Sequence, residues 1–584
     1  MARHDRAVRS VSISLLDLTM ERRAHGPRAR SRLLLAGFAL ALAAGAQART
    51  IADTVYVNGH IHTLDARAPV ASSVAILDGR LIAVGPDAEG RGHVGPGTTV
   101  VDLGGATVVP GIIDSHLHLV AAGADVGKLD LSGAATVGET LAAIRAAVLS
   151  KGAGAWIISR RWDPATQLAE KRALTAAEID SVAPDNPVLL DGEAVALNGA
   201  ALRAARIDRA TADPENGHIE RDDAGNPTGL LRGAATRIAW KAVPPPTVGE
   251  LEARYREAMR IANSQGLTSV VAAANGPDDM RALQALYRAG ELTLRFSVIL
   301  PPPADPAPGP WMAAVGGVGV ASGFGDEWLR LDSLGELPVD GGMTFGTALT
   351  RAPYPQRPDY HGVAAIPVET LDAQVAIANR NGWRFTSHAI GDAAIDRLLD
   401  AYEAAGRERS IAGRRFVVLR GSLIQRDQLE RMKRLGVILQ IENMFMWDKA
   451  GAVERHMGGA VADRVFPDRM AIDILGIENV SQGSDFPTNS MNPWLNLYLA
   501  VTRRDETGKR YGADQAIGRE EALRMYTLSG AHASFEDGLK GSIEVGKLAD
   551  MVVLDRDYMT VDAEQIRHIR VLRTIVGGRE VYRR

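Results

Sequence analysis

The chain of 584 residues contains no cysteine. Disulfides, thiolate metal sites and a lipid-anchored cysteine are thereby excluded. An exported form must be held together by its core, and any metal must be taken by His, Asp, Glu or a modified Lys. Long apolar runs are nearly as scarce. Residues 33–44 form one, too short and too rich in small residues for a comfortable membrane span. Arg28, Arg30 and Arg32 precede it and Ala46-Gln47-Ala48 closes it. That is the layout of a secretory signal peptide over residues 1–48, with cleavage near Ala48 and a periplasmic or secreted address. Residues ahead of Met20 fit no part of it, so Met1 and Met20 both stand as starts.

Positive charge is short too. The formal net charge is −4, and loss of residues 1–48 removes eight arginines against three acids, leaving −9. Such a chain is a poor partner for nucleic acid or an anionic membrane. A small molecule remains as the expected partner, without stable membrane association and with homo-oligomerisation left open. With 46% hydrophobic and 23% charged residues and no polar low-complexity tail, the rest is ordinary globular material.

Both ends are β-rich. Residues 75–77 and 80–84 are joined by Asp78-Gly79, a hairpin turn, and 571–576 pairs with 579–582 across Gly577-Gly578. Together with the run 551–554 they suggest one small β-sandwich built from residues 49–110 and 540–584. Between them, over 111–539, a unit of amphipathic helix, glycine and apolar strand recurs, at Gly266, Gly382, Gly436 and Gly476. Helix-to-strand units of this kind build a (β/α)8 barrel or an open doubly wound sheet, and periodicity does not choose between them. Over a hundred residues separate His118 from the Pro244-Pro245-Pro246 break, far more than one unit needs, which implies an inserted domain over about 121–243. A further irregular stretch, 301–310, follows the expected third strand.

The chemistry starts at Val108-Val109-Pro110-Gly111-Ile112-Ile113-Asp114-Ser115-His116-Leu117-His118. Residues i and i+2 of a strand share a face, so His116 and His118 converge where the strand runs out. Imidazole suits zinc-like metals, and a strand end is a rigid mount. His60 and His62 share that spacing, but in the terminal sandwich a solvated strand face is the expected reading.

The segment around His116 resembles the first-strand metal motif of the amidohydrolase superfamily. With Ser387-His388-Ala389-Ile390-Gly391-Asp392, Gln482-Gly483-Ser484-Asp485-Phe486-Pro487 and residues 541–550, the chain is similar to amidohydrolase family 3, the N-substituted formamide deformylase-like branch. The resemblance implies an α/β fold with a (β/α)8 TIM-type barrel. It also implies metal ligands His116, His118, His388 and Asp485, with Asp485 as the proton acceptor from metal-bound water. His388 alone could equally be a structural histidine, and Asp485 loop polarity; the family context favours the ligand reading.

Two positions depart from the family pattern. Glu336 stands where this branch carries a lysine that becomes carboxylated and bridges two metals. Arg420 stands where the sixth-strand histidine belongs, with no histidine between His388 and His456 to replace it. Arginine stays protonated and does not ligate metal. The expected site therefore holds one Zn2+, or another divalent metal, on His116, His118, His388, Asp485 and Glu336. Asp485, Arg420 and Glu336 are its catalytic residues, and Glu336 and Arg420 are expected to form a bidentate pair across it. The bland alternative places both in solvated loops. Glu193 occupies a position the family gives to a substrate-contacting histidine, and Phe486 and Trp447 could line the pocket or simply pack.

The expected function is exported, metal-dependent hydrolysis of a non-peptide C–N bond, an amide or N-acyl group, by a metal-activated water. A deaminase or carbamate hydrolase variant would use the same parts. A catalytically impaired binding protein on the same scaffold is the alternative from another class.

Overall fold

Eight short strands follow one another in space in the order in which they occur in the chain, every neighbouring pair parallel. They are β1 (Ile112–Leu117), β2 (Leu267–Ala273), β3 (Arg295–Leu300), β4 (Leu329–Pro338), β5 (Phe385–Ala389), β6 (Val417–Arg420), β7 (Ile438–Ile441) and β8 (Val480–Gln482). The computed structural model describes residues 50–584 apart from 275 and 303–307, so the expected signal peptide over residues 1–48 lies outside the described residues.

These strands are apolar on both faces because both faces are covered: all seven residues of β2 and all four of β7 are buried. Helices cover the outer face. Asp392–Glu408 buries Ile395, Leu398, Leu399, Tyr402 and Ala405, a stripe at helical spacing, and each large apolar side chain so removed from water contributes about 1.5–3 kcal/mol. Helix Arg426–Leu435 ends on Gly436 at φ 68°, the left-handed cap that lets the chain turn directly into β7. The unit after Gly476 differs from expectation: residues 477–479 form a 3-10 turn, held by the Asn479 side chain donating to the Leu475 carbonyl, and β8 begins only at Val480.

The seam between the last and first strands is closed just past β8. Asp485 N donates to His116 O at 2.9 Å and His118 N to Phe486 O at 2.7 Å. Gly483 permits the approach, since a Cβ there would lie 2.2 Å from Gln440 Nε2 and 2.8 Å from His116 N. The eight strands thus form a near-closed barrel of the (β/α)8 TIM type.

The chain ends form two further sheets. One has four strands, spanning 80–85, 73–77, 54–57 and 99–102 in order. The other has six, 579–583, 571–576, 551–554, 107–110, 60–62 and 70–71. Tyr56 and Val74 of the first meet Ile61, Val108, Val553 and Ile575 of the second in one core, the sandwich arrangement. Arg295 at the start of β3 grips Asp550 through two hydrogen bonds, 2.8 and 3.0 Å, and Asp550 also accepts from Gly577 N at 2.8 Å. This buried pair pins the sandwich to the barrel. Residues 157–233 carry a separate five-stranded sheet, with packed clusters of its own around Ile157, Ile179 and Leu190 and around Leu197, Ile219 and Leu231.

Candidate metal centre

Loops that follow the strands of such a barrel gather at its C-terminal face, and the strand ends there present polar side chains to a common point. β1 delivers His116, fully buried, and His118 one residue past the strand, partly open to solvent. β4 delivers Glu336 where its pairing register with β5 slips between Leu334 and Leu337, so the glutamate turns inward. β5 delivers His388 and β6 Arg420, and the turn after β8 delivers Asp485.

The donor atoms lie close together. His116 Nε2 stands 3.2 Å from Glu336 Oε2 and 3.5 Å from Asp485 Oδ1. His118 Nε2 is 3.5 and 3.9 Å from the same two oxygens, and His388 Nδ1 is 3.4 Å from Glu336 Oε1. Arg420 and Asp485 both adopt left-handed backbone, φ 71° and 53°, a conformation costing on the order of 1–3 kcal/mol for a non-glycine residue. Those turns aim the two side chains at each other: Arg420 Nη2 lies 2.7 Å from Asp485 Oδ2.

The expected Glu336–Arg420 pair is corrected by this geometry. Arg420 Nη2 is 3.7 Å from Glu336 Oε1, too long for a bidentate fork, while Asp485 Oδ2 is the nearest carboxylate oxygen at 2.7 Å and Glu442 Oε2 lies 3.3 Å from Arg420 Nε. The guanidinium is shared by three carboxyl groups, with Asp485 the nearest. Neither Glu336 nor Arg420 is a solvated loop residue: their side chains are 10% and 13% exposed.

Burial alone would raise Glu336, but the charge of His116 and hydrogen bonds from His116, His118 and His388 hold it well below the ordinary carboxyl range. Burial likewise opposes charge on His116, yet the Glu336 charge and the Asp485 hydrogen bond lift it well above an ordinary imidazole. Asp485 is lowered despite burial by His116 and Arg420. His388 moves the other way, lowered by burial and by the Arg420 charge, which favours the neutral, ligating form.

Glu442, one residue past β7, is a member of the site that the sequence did not reveal. It is fully buried, and burial followed by repulsion from Asp485 pushes it well above the usual carboxyl range, favouring its neutral form. It sits within reach of His116 and Asp485 as well as Arg420. A single acid ending an apolar strand gives no local pattern; its alternation with Gln440, two residues earlier on the same strand face, is the only cue.

The residues fit a metal ion. His116 Nε2 and both Asp485 oxygens are buried and make no hydrogen bond of good geometry, which is costly unless another partner takes them. Donor bonds of about 2.0–2.2 Å to a tetrahedral ion put neighbouring donors roughly 3.3–3.6 Å apart. The observed separations of 3.2, 3.4 and 3.5 Å match that spacing. Three imidazoles and two carboxylates form a donor set for a zinc-like ion, and Arg420 adds a positive charge but no ligand. Glu193 lies elsewhere, exposed between strands 188–190 and 194–197. Trp447 packs against Tyr498 and Arg567, and Phe486 against the core beside β1 and β2.

The Amidohydrolase family model matches residues 99–582, and the chain belongs to that family of metal-dependent hydrolases. N-substituted formamide deformylase of Arthrobacter pascens is 31% identical over 90% of this chain and 97% of its own. Protein LONG AFTER FAR-RED 3 of Arabidopsis thaliana is 29% identical over 91% and 92%. Among solved structures, an uncharacterized metal-dependent hydrolase from Pyrococcus furiosus superposes with a TM-score of 0.69 at 25% identity, covering 87% of this chain and 100% of that one.

Proposed function

We propose that this protein is an exported amidohydrolase that cleaves an amide or N-acyl C–N bond in a single-metal site. The observation that carries the reading is the pair of donor clusters that share His116, one with His118 and Glu336 and one with Asp485 and Glu442, with His388 set against Glu336, while β6 presents a permanent cation where a second ion would need a ligand. Zinc, or another divalent ion, would be held by His116, His118, His388, Glu336 and Asp485; when bound it supplies a hydroxide-like water near neutral pH and polarises the carbonyl.

Asp485 is placed to hold the proton released by the attacking water and to return it to the leaving nitrogen. Arg420, at 2.7 Å, keeps that carboxylate ionised before attack and offers positive charge to the oxygen on which negative charge builds. Glu442 braces the guanidinium from the other side. N-substituted formamides are the first substrates to try, on the strength of the Arthrobacter relative's name. Residues 28–48 support export to the periplasm or beyond, and among the described residues no helix is long and apolar enough to cross a membrane.

The test is elemental analysis of purified mature protein beside a hydrolysis screen of formamides and N-acyl amines. Bound metal with turnover that chelation abolishes is the expected result. Metal-loaded protein inert to the whole panel would overturn the assignment and leave the binding-protein alternative.

A further inference from the structure

We infer that His60, His62 and Asp557 form a second, peripheral site for a borderline divalent ion of the Zn2+, Ni2+ or Cu2+ class, one that clamps the two ends of the mature chain together. Ile61 between the two histidines is fully buried, so His60 and His62 project together from the opposite face of strand 60–62. Strands 60–62 and 551–554 flank strand 107–110 on either side, and both His60 and Leu554 pair with Thr107. The turn that follows Leu554 therefore comes back over the histidine end of the sheet and brings Asp557 with it.

The geometry is that of a ligand cluster rather than one hydrogen bond. His62 Nε2 is 2.9 Å from Asp557 Oδ1, and His60 Nε2 is 3.7 Å from Asp557 Oδ2. The rings meet edge to face with centroids 4.7 Å apart. One donor atom from each of the three residues lies within 4.8 Å of the others. A donor spacing of roughly 3.3–3.6 Å around a tetrahedral ion falls between the two observed separations, so an ion needs only small side-chain adjustments.

The carboxylate is also held in place. Met559 N donates to Oδ1 and Thr560 Oγ1 to Oδ2, both at 2.9 Å, which fixes the plane of the group and leaves lone pairs free on each oxygen. Two imidazoles with one carboxylate select a borderline ion over Mg2+ or Ca2+, which prefer all-oxygen shells. Binding requires the His62 Nε2 lone pair to face the ion between it and Asp557. His60 is about half exposed, so solvent completes the shell and the site is weaker than the buried centre in the barrel.

Zn2+ titrated by calorimetry into the full mature protein, its barrel site already loaded, tests the inference. Wild-type protein should take up a further equivalent, and its thermal midpoint should rise with added Zn2+ by linkage. His62→Ala and Asp557→Asn should lose both effects while retaining the metal bound in the barrel. His60→Gln, at the most exposed ligand, covers the case in which either variant folds poorly, and should weaken uptake at least tenfold. No further equivalent on wild-type protein, uptake unchanged in these variants, or equal uptake of Mg2+ would each overturn it.

Discussion

Replacing Arg420 with methionine removes a permanent cation from the barrel mouth while keeping most of its apolar stem. Asp485 at 2.7 Å and Glu336 at 3.7 Å lose their counter-charge at once, and Glu442 at 3.3 Å, which favours its neutral form, loses a polar partner. At an effective dielectric near 20, a unit pair 2.7 Å apart attracts by roughly 6 kcal/mol before desolvation. Removing one partner from a buried pair typically costs about 3–5 kcal/mol, because the other charge is left stranded. The metal-free R420M protein should lose stability on that scale, read as a lower midpoint in urea. R420M with D485N should cost less than the two singles added, by on the order of 1–3 kcal/mol. The cycle with E336Q should show the smaller coupling, since that contact is longer. Strict additivity for Arg420 and Asp485, or stronger coupling to Glu336, would refute the assignment of Asp485 as the main partner.

Arg420→His restores an imidazole at the end of β6 and should raise retained barrel metal from about one to about two equivalents; elemental analysis reads this directly. Asp340 accepts the backbone N–H groups of Ile390, Leu349 and Gly391 at 3.0, 2.8 and 2.9 Å and so fixes the turn after His388. Asp340→Asn keeps one acceptor and adds donors facing donors, so about 1–3 kcal/mol per stranded group should be lost and His388 loosened. Burial, opposed by those hydrogen bonds, raises the Asp340 carboxyl from 3.8 to about 6. Its protonated form is the one the fold favours, so its contribution to stability is full below about pH 4 and falls as pH rises through 6. Asp340→Asn should flatten that part of the stability profile. Asp550→Asn strands Arg295 between barrel and sandwich and should lower the urea midpoint by about 3–5 kcal/mol equivalent with barrel metal retained.

Features carried by local pattern were legible in the sequence. Asp78-Gly79 and Gly577-Gly578 fix tight turns by their own backbone preferences, and both hairpins occur. His116 and His118 share a face because strands alternate, whatever surrounds them. Glu442 and Asp340 were not legible, because nothing about an isolated acid states what faces it. That Asp485 lies nearer to Arg420 than the expected Glu336 was not legible for the same reason: left-handed turns at Arg420 and Asp485 and the closure of β8 on β1 decide it, and none of these has a short-range signature. Asp557 lies 495 residues from His62, so its meeting with the histidine pair depends on sheet order alone.

The central claim is a single metal ion in the barrel mouth, and metal content after exhaustive dialysis tests it most directly. His62→Ala protein is the material to use, since it leaves only the barrel site to count. The account predicts about one zinc-like equivalent per chain, lost on His116→Ala or His388→Ala. Two equivalents retained in that background would contradict it and show that Arg420 does not take the place of a second ion.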